Sequence, residues 1–72
     1  FGRLTICENL EFYGELYGIE HQERAKRIEY FLKTFDLWRL KDRKASGLSA
    51  GEMMRAILAK AFLSYPRVVL LD

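Results

Sequence analysis

Seventy-two residues make one small domain at most, and a domain of that size buries only roughly 60% of its unfolded surface. The chain is 50% hydrophobic and 31% charged, with net charge +2 and a single cysteine, Cys7. These totals exclude an internal disulfide, a Cys/His metal cluster built on Cys7 and the lone His21, and nucleic-acid binding argued from charge alone. No apolar run is longer than that of Val68 to Leu71, which is far too short to span a bilayer. Phe1-Gly2-Arg3 leads straight into a capped helix with no secretory signal pattern, so the expected setting is reducing and cytosolic.

In chain order, Thr5-x-x-Glu8 reads as a capping box that opens a first helix. Ile6, Leu10, Tyr13 and Tyr17 recur at helical spacing and are expected on one buried face, widened by Phe12 and Leu16. Gly18 suits the residue just past the helix end. A second helix is expected from about Gln22 to Phe35, burying Ala25, Ile28, Leu32 and Phe35, with Glu23, Lys26, Arg27 and Lys33 on the opposite face. A turn over Asp36 to Leu40 leads into Lys41-Asp42-Arg43-Lys44, a loop or solvated helix end. A third helix then runs from about Ala50 to Ser64, with Ser49 as its N-cap and Pro66 as its stop. Gly14-x-x-x-Gly18 matches a membrane-helix packing pattern on paper, but it lies beside Glu15 among tyrosines and carries no weight.

The last residues, Val-Val-Leu-Leu-Asp, read as a strand buried on both faces, as in parallel sheets. No other segment reads as a convincing strand, and a lone strand leaves its backbone groups without partners. The expectation is therefore that the chain is part of something larger.

Two places can carry chemistry. Ser49-x-x-Glu52 is a second capping box, and the same geometry presents free N–H groups and the positive end of the helix dipole to an anion. Ala50 and Gly51 keep the approach free of side-chain bulk, and Ser49 adds a hydroxyl. Asp72, at the carboxyl end of the expected strand, either solubilises that end or holds magnesium beside a nucleotide's phosphates.

The order of these features resembles the ATP-binding-cassette (ABC) ATPases. Their signature motif, Leu-Ser-Gly-Gly-Gln, is followed after two residues by an arginine, then by an alanine-rich helix and the Walker B strand of four apolar residues and an aspartate. Here "LSAGEMMR" matches at Leu48, Ser49, Gly51 and Arg55, followed by "AILAKAFL" and "YPRVVLLD". The opening "LTICENLEFYGELYGI" looks like the segment after the family's glutamine loop, in a style similar to exporter-type subunits. Ala50 and Glu52 depart from the family's glycine and glutamine. Alanine suits this position unless the backbone there is left-handed. Glutamate suits it if the side chain turns back to cap the helix.

The resemblance implies a mostly α fragment of an α/β P-loop NTPase: a helical subdomain over residues 1–64, then a Walker B strand over 65–72. It implies two nucleotide-binding domains paired head to tail, with Ser49, Ala50, Gly51 and Glu52 at the γ-phosphate of ATP held by the partner domain. Asp72 would bind magnesium at its own domain's ATP, and Arg55 would support the helix. It further implies a membrane-spanning partner subunit, no nucleic-acid partner, and a place at the inner face of the cell membrane. A soluble ABC ATPase acting in translation or DNA maintenance shares both motifs. A small helical binding module, with a helix-turn-helix-like pair near Leu48 to Leu63, is disfavoured by the low charge and by Glu52 at the start of its recognition helix. No Gly-x-x-x-x-Gly-Lys-Ser/Thr phosphate loop occurs in these residues, so they are not expected to hydrolyse ATP by themselves.

Overall fold

The computed structural model describes residues 2–64, which form three α-helices: α1 (Ile6–Leu16), α2 (His21–Thr34) and α3 (Ala50–Leu63). Short 3-10 turns at Trp38–Leu40 and Ala45–Gly47 connect α2 to α3. The expected strand Val68–Leu71, the stop at Pro66 and Asp72 lie outside the described residues. Within them, β-type pairing consists of one antiparallel bridge between Thr5 and Lys44.

The first turn of α1 is fastened on every side. Glu8 N–H donates to Thr5 Oγ1 at 3.0 Å, and Thr5 N–H donates to Glu8 Oε1 at 2.9 Å, which completes the expected capping box. The next two free donors go to the connecting loop: Ile6 N–H to the Arg43 carbonyl at 3.1 Å and Cys7 N–H to that of Lys41 at 3.0 Å. A helix start that would otherwise leave these groups unpaired thus pins the segment 41–44 in place. The other end closes through Gly18, whose φ of +78° lets the Ile19 N–H return to the Gly14 carbonyl at 3.0 Å.

Helix α2 starts one residue earlier than expected because Glu20 serves as its cap. The two carboxylate oxygens of Glu20 accept from Gln22 N–H and Glu23 N–H, each at 3.1 Å. Asp36 supplies the left-handed residue after α2, with φ +58°, a conformation that Asp tolerates better than most side chains. The Leu37 N–H can then reach back to the Leu32 carbonyl at 2.6 Å.

One core holds these elements together: Ile6 and Leu10 from α1, Ile28, Phe31 and Leu32 from α2, Leu37 and Leu40 from the connection, and Ala59 and Leu63 from α3. Four residues of the expected buried faces are exposed instead. Phe12, Leu16 and Tyr17 are exposed, while Gly14 is buried. At about 100° per residue, Leu16 and Phe12 lie about 120° and 160° around the helix from Leu10, off the buried stripe. Tyr17 is on the stripe by angle but caps the last turn. On α2, Ala25 is exposed and Phe31 takes its place in the core, its ring stacked on Phe62 at 6.1 Å between centroids.

Gly14 and Gly18 have separate local roles. A Cβ at Gly14 would lie 2.6 Å from Arg24 Cδ and 2.8 Å from Cγ. The Arg24 stem therefore crosses α1 at this glycine, and its head donates to Glu11 Oε1 at 2.6 Å and to the Ile19 carbonyl at 2.8 Å. Arg24 is largely buried, with its side chain 12% exposed. Gly14→Ala should displace it and cost about 1–3 kcal/mol, mostly from those two bonds. Denaturant unfolding checks this. In the Gly14→Ala/Arg24→Ala pair the two losses should fall short of additive, because they remove the same contacts.

Candidate functional site at the start of the third helix

Ser49 leaves the preceding 3-10 turn in an extended conformation, φ −69° and ψ 167°, and α3 begins at the next residue. Glu52 N–H donates to Ser49 Oγ at 3.1 Å, and Ser49 N–H donates to Glu52 Oε1 at 2.9 Å. The Met53 N–H is the first to find a backbone carbonyl, that of Ser49 at 2.8 Å. The cap therefore uses the Glu52 N–H and an acceptor lone pair of the Ser49 hydroxyl. The Ala50 and Gly51 N–H groups precede the first intrahelical bond. Capping and anion contact are compatible at one helix start.

The two departures from the signature motif are explained by this geometry. Ala50 is exposed and has no positive φ, so its methyl group causes no backbone strain. Glu52 turns back onto Ser49 instead of projecting from the helix end. The Ser49 N–H on its carboxylate holds Glu52 below the usual glutamate value; lost hydration opposes this, and the Ser49 hydroxyl, Arg43 and Arg39 add to it.

Gly51 is exposed, and a Cβ there would meet only Arg55 Nη1, at 3.9 Å. Its φ is not positive, so neither conformation nor crowding within the described residues calls for glycine. The absence of a side chain instead keeps an outward approach to the N–H groups open, which is the shape an incoming phosphate fits.

Arg55 fixes the orientation of this turn. Its Nε–H donates to the Phe35 carbonyl at 3.0 Å, joining the first turns of α3 to the C-terminal end of α2. The residue supports the helix, as the resemblance implied, and it also satisfies a carbonyl that α2 itself leaves unpaired. Arg43, which the sequence offered as part of a charge run, and Arg39, which it placed in a turn, act on the Glu52 carboxylate.

Other reactive side chains lie elsewhere. Cys7 is half-buried, and burial followed by the charge of Glu11 pushes its thiol up, away from a nucleophilic thiolate. His21 Nδ1 is 3.2 Å from Arg24 Nη2 at the start of α2. Among the described residues no group of three or more His, Cys, Asp or Glu side chains could hold a metal ion, and no helix is long and apolar enough to cross a membrane.

The model of the ABC transporter family matches residues 1–72. The chain belongs to that family. Over all 72 residues it is 33% identical to the ABC transporter ATP-binding protein NatA of Bacillus subtilis (strain 168), of which it covers 29%. It is also 33% identical over 72 residues to the Fe(3+) ions import ATP-binding protein FbpC of Pasteurella multocida (strain Pm70), of which it covers 21%. This ABC transporter chain thus spans less than a third of either relative. No solved structure matches it.

The Glu52 cap has a pH signature. Because the folded-state value is lowered, the stabilisation that Glu52 contributes is complete above the ordinary glutamate value of 4.5 and is lost as pH falls through the lowered one. Glu52→Gln keeps a capping acceptor but removes the titration. Its thermal midpoint, followed by helical circular dichroism, should fall less steeply below pH 4.5 than that of the parent sequence. Identical pH profiles would show that the Glu52 carboxylate does not take part in the cap.

Proposed function

We propose that residues 1–64 are the helical subdomain, and residues 65–72 the Walker B strand, of a nucleotide-binding domain that drives transport across a membrane by binding and hydrolysing ATP. In this reading Ser49, Ala50, Gly51 and Glu52 form the turn that faces the γ-phosphate of ATP held by a second nucleotide-binding domain, arranged head to tail. Ser49 donates its hydroxyl proton, Ala50 and Gly51 offer backbone N–H groups, and the dipole of α3 adds positive potential. Asp72 holds the magnesium ion at its own domain's ATP, where the ion neutralises charge on the phosphates.

The observation that carries the proposal is the combination at Gly51 of an open approach and a glycine that the surrounding structure does not require. A helix cap alone gives no reason for it. The relatives NatA, an ABC transporter ATP-binding protein, and FbpC, an Fe(3+) ions import ATP-binding protein, support transport over a soluble role in translation or DNA maintenance. With an import protein among the relatives, the exporter-like style of α1 is not carried into the proposal. A membrane-spanning subunit follows as partner, and a peripheral place at the inner face of the cell membrane as location. Turnover belongs to the longer protein, since no phosphate loop lies within these 72 residues.

Ser49→Asp separates the two roles of Ser49. Aspartate caps a helix about as well as serine, so stability should stay within about 0.5 kcal/mol. A carboxylate facing the γ-phosphate should nevertheless lower ATP turnover of the longer protein by more than about tenfold, or 1.4 kcal/mol of barrier. Unchanged turnover with unchanged stability would reduce this turn to a helix cap.

A further inference from the structure

The connection that leaves α2 holds a large aromatic side chain outward by construction. Leu37 and Leu40 are both buried; the Leu37 N–H donates to the Leu32 carbonyl at 2.6 Å, and the Leu40 N–H to that of Leu37 at 2.9 Å. Trp38 and Arg39 lie between these two anchors, and the turn Trp38–Leu40 leaves both exposed, Trp38 by 38%. A ring of this size would contribute more to a small core than it does in solvent.

Two ammonium groups lie over that ring. Lys33, from the last turn of α2, places Nζ 5.1 Å from the ring centroid, and Lys41 places its own at 5.3 Å. Arg39 is the exposed neighbour of Trp38 in the chain, and the run 39–44 sets four cations against the single carboxylate of Asp42. Both lysines have acidic partners, Glu29 Oε2 at 2.6 Å and Asp42 Oδ2 at 3.1 Å, but the carboxylate side chains are 52% and 81% exposed. Exposed pairs of this kind hold weakly, so the lysines can be drawn to a denser negative charge.

An apolar ring with positive heads beside it complements an anionic bilayer surface, where phosphates lie directly above hydrocarbon. Indole settles at the headgroup level, and lysine stems follow apolar surface while their ammonium groups stay among the headgroups. A stacked nucleic-acid base would instead compete with the ammonium groups already over the ring. We propose that Trp38, with Lys33, Arg39 and Lys41, is a contact surface for anionic phospholipid. The inference rests on the peripheral membrane location in the proposed function and names the face that meets the lipid. The start of α3 takes no part in it.

The experiment is vesicle sedimentation of the full-length protein that carries this chain, without nucleotide and without a membrane-spanning subunit. The protein should partition onto vesicles of phosphatidylcholine and phosphatidylglycerol in equal parts but not onto phosphatidylcholine alone, and high salt should release it. Lys33→Gln/Lys41→Gln should weaken partitioning by more than about tenfold, at roughly fivefold per cation. Lys33→Arg/Lys41→Arg keeps both charges and should bind as the parent does. The emission of Trp38, taken as parent minus Trp38→Phe, should move to shorter wavelength on the anionic vesicles as the indole leaves water. Equal binding to neutral vesicles, glutamine variants that bind like the parent, or an emission that does not move would overturn the proposal. Equally tight, lysine-dependent binding to polyglutamate or to a DNA duplex would also overturn it, by marking the patch as a site for an acidic macromolecule. Failure here is distinguishable from failure of the phosphate reading, because partitioning needs no nucleotide. Ser49→Asp should leave partitioning unchanged while it lowers turnover.

Discussion

The bond from Arg55 to the Phe35 carbonyl is the constraint on which the geometry of the site depends. It ties the beginning of α3 to the end of α2 at a point where each helix has unfinished backbone bonding. The Ser49–Glu52 box closes the remaining valences of the turn, so the direction of the first free N–H groups is set from two sides. The bond is part-buried, and a charged donor on a carbonyl is worth about 1.5–3 kcal/mol at most, a substantial share of what a domain this small has in total. Its functional weight is in orientation: N–H groups stabilise a phosphate only if they already point toward it.

The other end of the assembly follows the same logic with different residues. The free donors of α1 are given to the loop 41–44, which sets Arg43 and the following 3-10 turn before α3 begins. Helix starts do much of the organising here, and they do so with Thr5, Glu20 and Ser49, each holding backbone N–H groups by a side-chain oxygen. The hydrophobic core then needs only narrow stripes. Helix α3 buries Ala59 and Leu63 and leaves Met54, Ile57, Leu58 and Phe62 exposed. That distribution suits a chain that spans less than a third of either relative named above.

The helices, both capping boxes and the Gly18 stop were legible in the sequence because each is written in residues a few positions apart. The misassignments arise where tertiary geometry chooses among local options. Tyr17, Leu16 and Phe12 are apolar enough to suggest burial, yet α2 meets α1 along Ile6, Leu10 and Gly14, and no local pattern distinguishes a glycine that admits an arginine stem from one that ends a helix. Glu20 was missed as a cap because glutamate seldom serves as one. At the site, the motif itself was readable. That Glu52 turns back onto Ser49 belongs to the same local box, whereas the influence of Arg43 and Arg39 on its carboxylate comes from the connection between α2 and α3 and has no local signature.

The central claim is that Gly51 is open for a ligand and not for the fold. Gly51→Ala tests it with two readings on one substitution. Helical stability should be unchanged or raised by up to about 1 kcal/mol, the ordinary gain of alanine over glycine in a helix. ATP turnover of the longer protein should at the same time fall by about tenfold or more, because in the proposed function the new methyl group stands where the phosphate approaches. Turnover at the parent level, or a loss of stability that accounts for the loss of activity, would contradict it.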